Sequence, residues 1–263
     1  MEAGTIKLNL DGRIARIAIC NPQRHNAMSL AMWRQLGDIV SELNGRGDIN
    51  LIVLRGEGGR AFVSGADIRE FATLRSSDEA VKAYDEAVDR AQSALQDCVH
   101  PVVAVIEGYC FGGGIGLALS CDLRYAAASA RFRMPAARLG LGYALRGMQR
   151  AVSILGAAQA TELFFSASEY SGAEAAQRGL VHRVLGTETF DDAVEALIGR
   201  VAANAPLSLR AAKLAIRSAA HIEVPAAVAQ AVARQVEQCF RSEDYAEGRR
   251  AFAERREPRF EGR

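Results

Sequence analysis

Hydrophobic positions along the chain change period several times, and each change marks an element. Apolar residues at 6–10 and 14–19 flank Asp11-Gly12, a pair suited to a tight reversal, so the pattern predicts an N-terminal β-hairpin. Leu30, Trp33, Leu36, Val40 and Leu43 then recur at helical spacing behind Ser29, whose hydroxyl suits a helix N-cap. A short buried strand is expected at 51–54 and the end of another at Phe62 and Val63, followed by a turn at Gly65. Asp67 and Glu70 have the spacing of a capping pair for a short helix. Residues 73–86 are polar and without clear period, which reads as a loop. Val88, Ala91, Leu95 and Cys98 give the helix before the next strand.

The run from Pro101 to Ala118, PVVAVIEGYCFGGGIGLA, organises the rest. Residues 102–106 are β-branched and continuous, as in a strand buried on both faces. Gly112, Gly113 and Gly114 allow a sharp turn, and residues 115–120 can propagate a helix. The first amides of such a helix lack intrahelical acceptors and would stabilise an oxygen acquiring negative charge. The same glycines serve equally to let strand and helix pack closely, and both readings stand at this point. Strands are expected at 123–126 and 131–134, then a loop, PAARLGLGYALRGMQR. Helices follow near 158–165, 173–178, 193–203, 208–219 and 225–240, and no strand signal appears after about Val184. Alternation of strand, turn and helix indicates an α/β protein with parallel strands.

With 263 residues, 49% hydrophobic content and a net charge of +1, the chain can bury a large core. The near-neutral balance and lack of basic runs argue against nucleic acid as a partner. The longest apolar run is interrupted by Glu107 and glycines, and no apolar segment follows a basic start. Neither a membrane span nor a signal peptide is expected. Five cysteines without a CxxC pair read as reduced thiols of a cytoplasmic protein. No His, Cys, Asp and Glu cluster has metal-ligand spacing, so no metal is implied. None of the common phosphate fingerprints or the nucleophile elbow is present.

Asn21-Pro22-x-x-x-Asn26-Ala27, Ala61-Phe62-x-x-Gly65-Ala66-Asp67-Ile68 and Gly108-x-x-x-Gly112-Gly113-Gly114 together resemble the crotonase (enoyl-CoA hydratase/isomerase) superfamily. Cys121-Asp122-Leu123, Leu139-Gly140-Leu141-Gly142, Gly179-Leu180-Val181 and Ala205-Pro206 extend the likeness over about residues 5–263. The resemblance implies a spiral of ββα units over residues 1–200 and a C-terminal helical region, 201–263, that assembles trimers or hexamers. It implies that the Ala66 and Gly113 amides form an oxyanion hole for an acyl-CoA thioester. Coenzyme A would enter as part of the substrate, with no separate bound cofactor. It also implies that Arg24 and His25 lie beside the CoA phosphates or adenine, and that Ala27, Ser64, Gly65, Asp67 and Ile68 line the adenine and pantetheine. On the residues alone, Arg24 reads equally as a solvated surface arginine.

Two positions depart from the pattern. Family hydratases carry one glutamate two residues beyond the glycine triplet, where this chain has Gly116, and another after the proline of F-x-x-P, where it has Ala136. Water addition needs a positioned acid/base, typically worth ~10²–10⁴-fold in rate, and neither residue supplies one. Tyr143, in Leu139-Gly-Leu-Gly-Tyr143, resembles the tyrosine of methylmalonyl-CoA decarboxylase that faces the acyl group, and it reads equally as a packed loop tyrosine. Ala66 stands where that enzyme has histidine. Three readings follow: an acyl-CoA lyase of non-standard chemistry, including decarboxylation through Tyr143; a hydratase or isomerase that recruits Glu107 or Glu162; and a non-catalytic acyl-CoA binder. Arg138 and Arg146 flank the tyrosine loop and could meet a second carboxylate, although charges on a loop are more often solvated. His100 and His182 read as structural or surface residues.

Overall fold

The chain folds as two stacked sheets wrapped by helices, and the computed structural model describes residues 3–67, 77–220 and 224–263. β1 (Thr5–Asp11) and β2 (Ile14–Cys20) form the expected hairpin, with Gly12 at φ 57° in the reversal. Parallel strands then extend the sheet in the order β1, β2, β3 (Leu51–Gly56), β5 (Val102–Ile106), β7 (Leu123–Ala127) and β10 (Arg183–Leu185). A second sheet runs β4 (Ala61–Val63), β6 (Tyr109–Phe111), β8 (Arg131–Arg133) and β9 (Glu169–Ser171). Each successive pair, β3 with β4, β5 with β6 and β7 with β8, gives one strand to each sheet. That is the spiral of ββ units followed by helix that the family likeness implies.

Strand β5 shows why its sequence is continuously apolar. Val102, Ala104 and Ile106 point into the core shared with α1 (Leu30–Asn44), α2 (Asp78–Asp97) and α3 (Gly113–Ser120). Val103 and Val105 face the opposite side, where Phe190, Val194 and Ile198 of α6 (Phe190–Ala202) cover the sheet. Both faces being buried, no alternation survives. Helix α1 opens as expected, its Met32 amide donating to the Ser29 hydroxyl at 3.2 Å.

Two expectations are corrected. The loop expected at 73–86 is helical from Asp78, with the Ala80 amide donating to the Ser77 hydroxyl and Tyr84 buried. Lys82, Asp85 and Glu86 project to solvent and mask the apolar stripe that Tyr84, Ala87, Ala91 and Leu95 form. The helix expected near 158–165 begins at Leu145 as α4 (Leu145–Ser166), kinked at Gly156 with φ 74°. Its glycines, 147 and 156, hide the period. Strand β9 carried no recognisable signal, being three residues long. The Asp67–Glu70 capping pair and Ile68 reach beyond the described residues.

α5 (Gly172–Gln177) is followed, after α6, by the helices α7 (Pro206–Ala219), α8 (Ala226–Arg241) and α9 (Glu243–Glu254). Lys213 of α7 is buried and sits 2.6 Å from the Asp122 carboxylate and 2.8 Å from the His100 carbonyl. Asp122 in turn accepts from the Val102 amide at 2.8 Å, so the helix is tied to the head of β5. The C-terminal tail is held by two buried carboxylates: Asp244 accepts from the Glu261 and Gly262 amides, and Glu247 from Arg250, Arg256 and the Arg259 amide. No described helix is long and apolar enough to cross a membrane.

His100 is fully buried, its Nε2 3.1 Å from the Leu43 carbonyl and its Nδ1 facing Arg210 at 3.5 Å. Only a donor suits the carbonyl and only an acceptor suits the guanidinium, so the proton sits on Nε2, Nδ1 is bare and the ring is neutral. Burial first, and the Arg210 charge second, lower its pKa to about 4. Between that value and the ordinary 6.5 the folded state binds fewer protons than the unfolded chain. Stability is therefore complete above pH 6.5 and declines as pH falls toward 4. The urea midpoint should drop over this window, and His100→Gln should flatten the drop while lowering the midpoint at pH 7.5.

Candidate active site

The site is built where two glycine turns meet. Gly65 (φ 122°) ends β4, and Gly112 (φ 51°) ends β6, both in backbone conformations that side chains disfavour. A Cβ on Gly112 would lie 4.0 Å from the Gly65 Cα, so the two turns are neighbours, one methyl group apart. Each glycine of the triplet has its own reason. Gly112 makes the turn; a side chain on Gly113 would press within 3.1 Å of the Trp33 ring; and one on Gly114 would strike the Val63 carbonyl. Close strand-to-helix packing and an exposed helix entrance are thus properties of adjacent residues, and the two readings of the triplet are compatible.

Ala66 and Gly113 each follow the turning glycine. Met28 and Ala66 form an isolated parallel bridge, but its bonds run from the Met28 amide to the Gly65 carbonyl (2.9 Å) and from the Asp67 amide to the Met28 carbonyl (3.0 Å). The Ala66 amide is left out of it. Gly113 is the first residue of α3, where an amide has no intrahelical acceptor. Neither N–H finds an acceptor among the described residues. Two unpaired donors therefore emerge beside each other, one of them at the positive end of a helix dipole.

The residues expected to hold coenzyme A come together on one edge of this site. The turn from Asn21 is laced onto Ser64–Asp67 by the Ser64 amide to the His25 carbonyl (3.1 Å), by the Met28 and Asp67 bonds, and by the Ser64 hydroxyl to the Arg24 carbonyl (3.2 Å). Arg24 forms an ion pair with Asp67, so two of the expected CoA contacts hold each other. His25 lies edge-on to Tyr109 with centroids 5.5 Å apart, and Ala27 is buried. Asn26, which the sequence reading quoted only as part of a motif, is the organiser of the turn. It is fully buried, accepts from the Asn21 amide, and donates to the Glu57 and Ala61 carbonyls. Its φ of 55° suits asparagine, and that of His25, 50°, shares the strain.

Gln92 and Tyr143 are the polar groups nearest to Gly116. A Cβ on Gly116 would come within 2.9 Å of the Tyr143 Oη and would clash with Nε2 of Gln92. Gly116 lies one turn along α3 from Gly113, and helical side chains lean toward the N-terminus, so this volume adjoins the free amide. Tyr143 packs edge-on against Phe164 (5.0 Å), and burial raises its phenol pKa, which keeps the hydroxyl protonated. Trp33 and Tyr84 close the other side, joined by an indole-to-hydroxyl bond of 3.0 Å. Along the sequence Trp33 reads only as an apolar position of α1, Tyr84 falls in the stretch expected to be a loop, and nothing local singles out Gln92.

The other carboxylates are engaged elsewhere. Glu107 receives Arg55 at 2.5 Å, and Arg55 also meets Asp191 at 2.6 Å. Glu162 is exposed on α4. Arg146 reaches Asp89 (3.2 Å) and Asp97 (3.7 Å), and Arg138 is exposed. His182 accepts the Arg124 amide at 3.1 Å, a structural role.

A sequence profile described as enoyl-CoA hydratase/isomerase matches residues 10–263. The chain is 27% identical over 256 residues to a short-chain-enoyl-CoA hydratase of Clostridium acetobutylicum, covering 97% of each. It is 30% identical over 261 residues to a crotonyl-CoA hydratase of Syntrophomonas wolfei, covering 99% of each. A crystal structure of an enoyl-CoA hydratase/carnithine racemase from Magnetospirillum magneticum superposes with a TM-score of 0.90 at 35% identity, over 98% of this chain and 96% of that one.

The glycine geometry predicts unequal tolerance. Gly114→Ala must displace the Val63 carbonyl and should lower unfolding free energy by about 2 kcal/mol, as overpacked cores do. Gly142→Ala, with nothing within 4 Å of the added methyl, should change it by less than ~0.5 kcal/mol. Urea titration of both variants checks the contrast.

Proposed function

The chain belongs to the enoyl-CoA hydratase/isomerase family, and from that premise we propose that it binds an acyl-CoA thioester and stabilises its enolate between the Ala66 and Gly113 amides. It acts as a lyase or isomerase without two-glutamate hydration. The observation carrying this reading is the pair of unpaired amides at the meeting of the two glycine turns. A thioester carbonyl is a weak acceptor until negative charge gathers on it. Fixed donors in a water-poor site therefore favour the enolate over the ground state. Removing one such donor in other enzymes costs on the order of 3 kcal/mol of barrier.

Within that class, the Tyr143 hydroxyl beside Gly116 favours decarboxylation of a malonyl-type thioester, whose carboxylate sits on the α-carbon. The bond between the α-carbon and the carboxylate breaks, its electron pair passes into the thioester carbonyl, and carbon dioxide leaves. Protonation of the α-carbon by solvent then completes the reaction. No general base is needed, which suits a site whose adjoining carboxylate, Asp67, is ion-paired to Arg24. A protonated phenol can hold the departing carboxylate out of the thioester plane.

The CoA portion would lie along Arg24, His25, Ala27 and Ser64–Asp67, with Ile68 at its end. Arg24 shares its charge with Asp67, so a phosphate there gains less than it would from a free guanidinium. We assign the helical region 201–263 to assembly of copies into a trimer or hexamer. Its support is a set of exposed apolar side chains: Ile216 (70% exposed), Phe240 (62%) and Phe252 (87%).

A thioester panel tests the chemistry. Decarboxylation of malonyl- or methylmalonyl-CoA, followed by mass, should fall at least tenfold in Tyr143→Phe, and crotonyl-CoA should not be hydrated. Rapid crotonyl-CoA hydration would overturn the reading, while CoA binding without turnover of any thioester would leave a binder. Light scattering should return three or six times the 28.2 kDa chain mass, and a monomer would refute the assembly assignment.

A further inference from the structure

Gln92 is 4% exposed on α2, and its carboxamide is held at one end only. Arg150 of α4, also buried, donates from Nη1 to the Gln92 Oε1 at 2.8 Å and from Nε and Nη2 to the Gln96 Oε1 at 3.0 and 2.8 Å. A guanidinium has only donors, so the Gln92 atom facing it must be the oxygen. The NH2 group is thereby turned the other way, toward Gly116 and the Tyr143 hydroxyl. There its Nε2 is buried and has no acceptor among the described residues. A buried amide donor left unpaired is costly, and native proteins carry few. Arg150 itself meets amide oxygens and no carboxylate among the described residues, so its positive charge is uncompensated at close range. Burial in fact lowers its pKa. Two neutral donors with a buried cation behind them form a complement to an anionic oxygen.

We infer that the Gln92 carboxamide, beside the Tyr143 hydroxyl, donates to a carboxylate carried on the α-carbon of the acyl chain, and that Arg150 is the positioning residue that fixes its orientation. This rests on the acyl-CoA reading above and adds what selects the acyl group. In that arrangement Gln92 touches the substrate, whereas Arg150 acts through it. The glycine at 116 is then required, because any side chain there would occupy the space between the two donors and the ligand.

Two unreactive thioethers separate this inference from the reading it rests on: S-(2-carboxyethyl)-CoA, which presents the carboxylate, and S-propyl-CoA, which ends in a methyl group. Neither has a carbonyl for the Ala66 and Gly113 amides, so calorimetric titration isolates the distal contact. The native protein should bind the carboxyethyl compound at least tenfold more tightly than the propyl compound. Gln92→Leu should bring the ratio within threefold of one. Gln92→Glu is isosteric, keeps an acceptor toward Arg150, and decides the matter if the leucine variant does not fold; it should invert the preference. Arg150→Met should lower the ratio, a change in selectivity that a loss of stability alone would not produce. Equal binding of the two thioethers by the native protein, or a tenfold preference surviving in both Gln92 variants, would overturn the inference and leave acyl-CoA binding standing. Failure to bind either thioether or CoA itself would remove both.

Discussion

Everything at this site depends on two backbone amides that the fold withholds from their natural partners. A buried N–H normally finds a carbonyl, and leaving one unpaired costs on the order of 1–3 kcal/mol. Here the ladder between Met28 and residues 65–67 skips Ala66, and the start of α3 leaves Gly113 without an acceptor. The glycines at 65 and 112 bring these amides to adjacent turns, and Gly114 lets α3 approach β4 closely. Strand order contributes as well, since β4 and β6 are neighbours in the smaller sheet and deliver both turns to one edge.

Around that centre, Asn26 ties the Asn21 turn to the chain after β3 through two hydrogen bonds and closes the turn on itself through a third, and the turn is laced in its own right to Ser64–Asp67. Lys213 and Asp122 fix the opposite end of β5, so the strand that feeds the glycine triplet is held at its origin. The Arg24–Asp67 pair leaves Arg24 in partial contact with solvent while Asp67 is buried.

The absence of glutamates at 116 and 136 acquires a structural meaning from Gln92 and Tyr143. A side chain at 116 would run into the Gln92 amide and the Tyr143 hydroxyl, so the two donors and the glycine are one packing unit. Arg150 stands behind Gln92, buried and hydrogen-bonded to the Gln92 and Gln96 carboxamide oxygens.

The sequence by itself determined the hairpin, the doubly buried strand at 102–106, the two glycine turns and the alternation that makes an α/β protein. These are local consequences of side-chain period and backbone freedom. It also marked Ala66, Gly113 and Tyr143, because motif spacing survives in one dimension. Only the tertiary structure decided that Arg24 pairs with Asp67, 43 positions away, that Glu107 turns to Arg55, and that Gln92 is orphaned at one end by Arg150. The helical spacing of Val88, Ala91, Leu95 and Cys98 passed over Gln92, and the start of α2 read as a loop because charged outward-facing residues diluted the apolar stripe. Which atom of a buried amide faces a ligand is set by its partner across the fold, and no pattern along the chain carries that information.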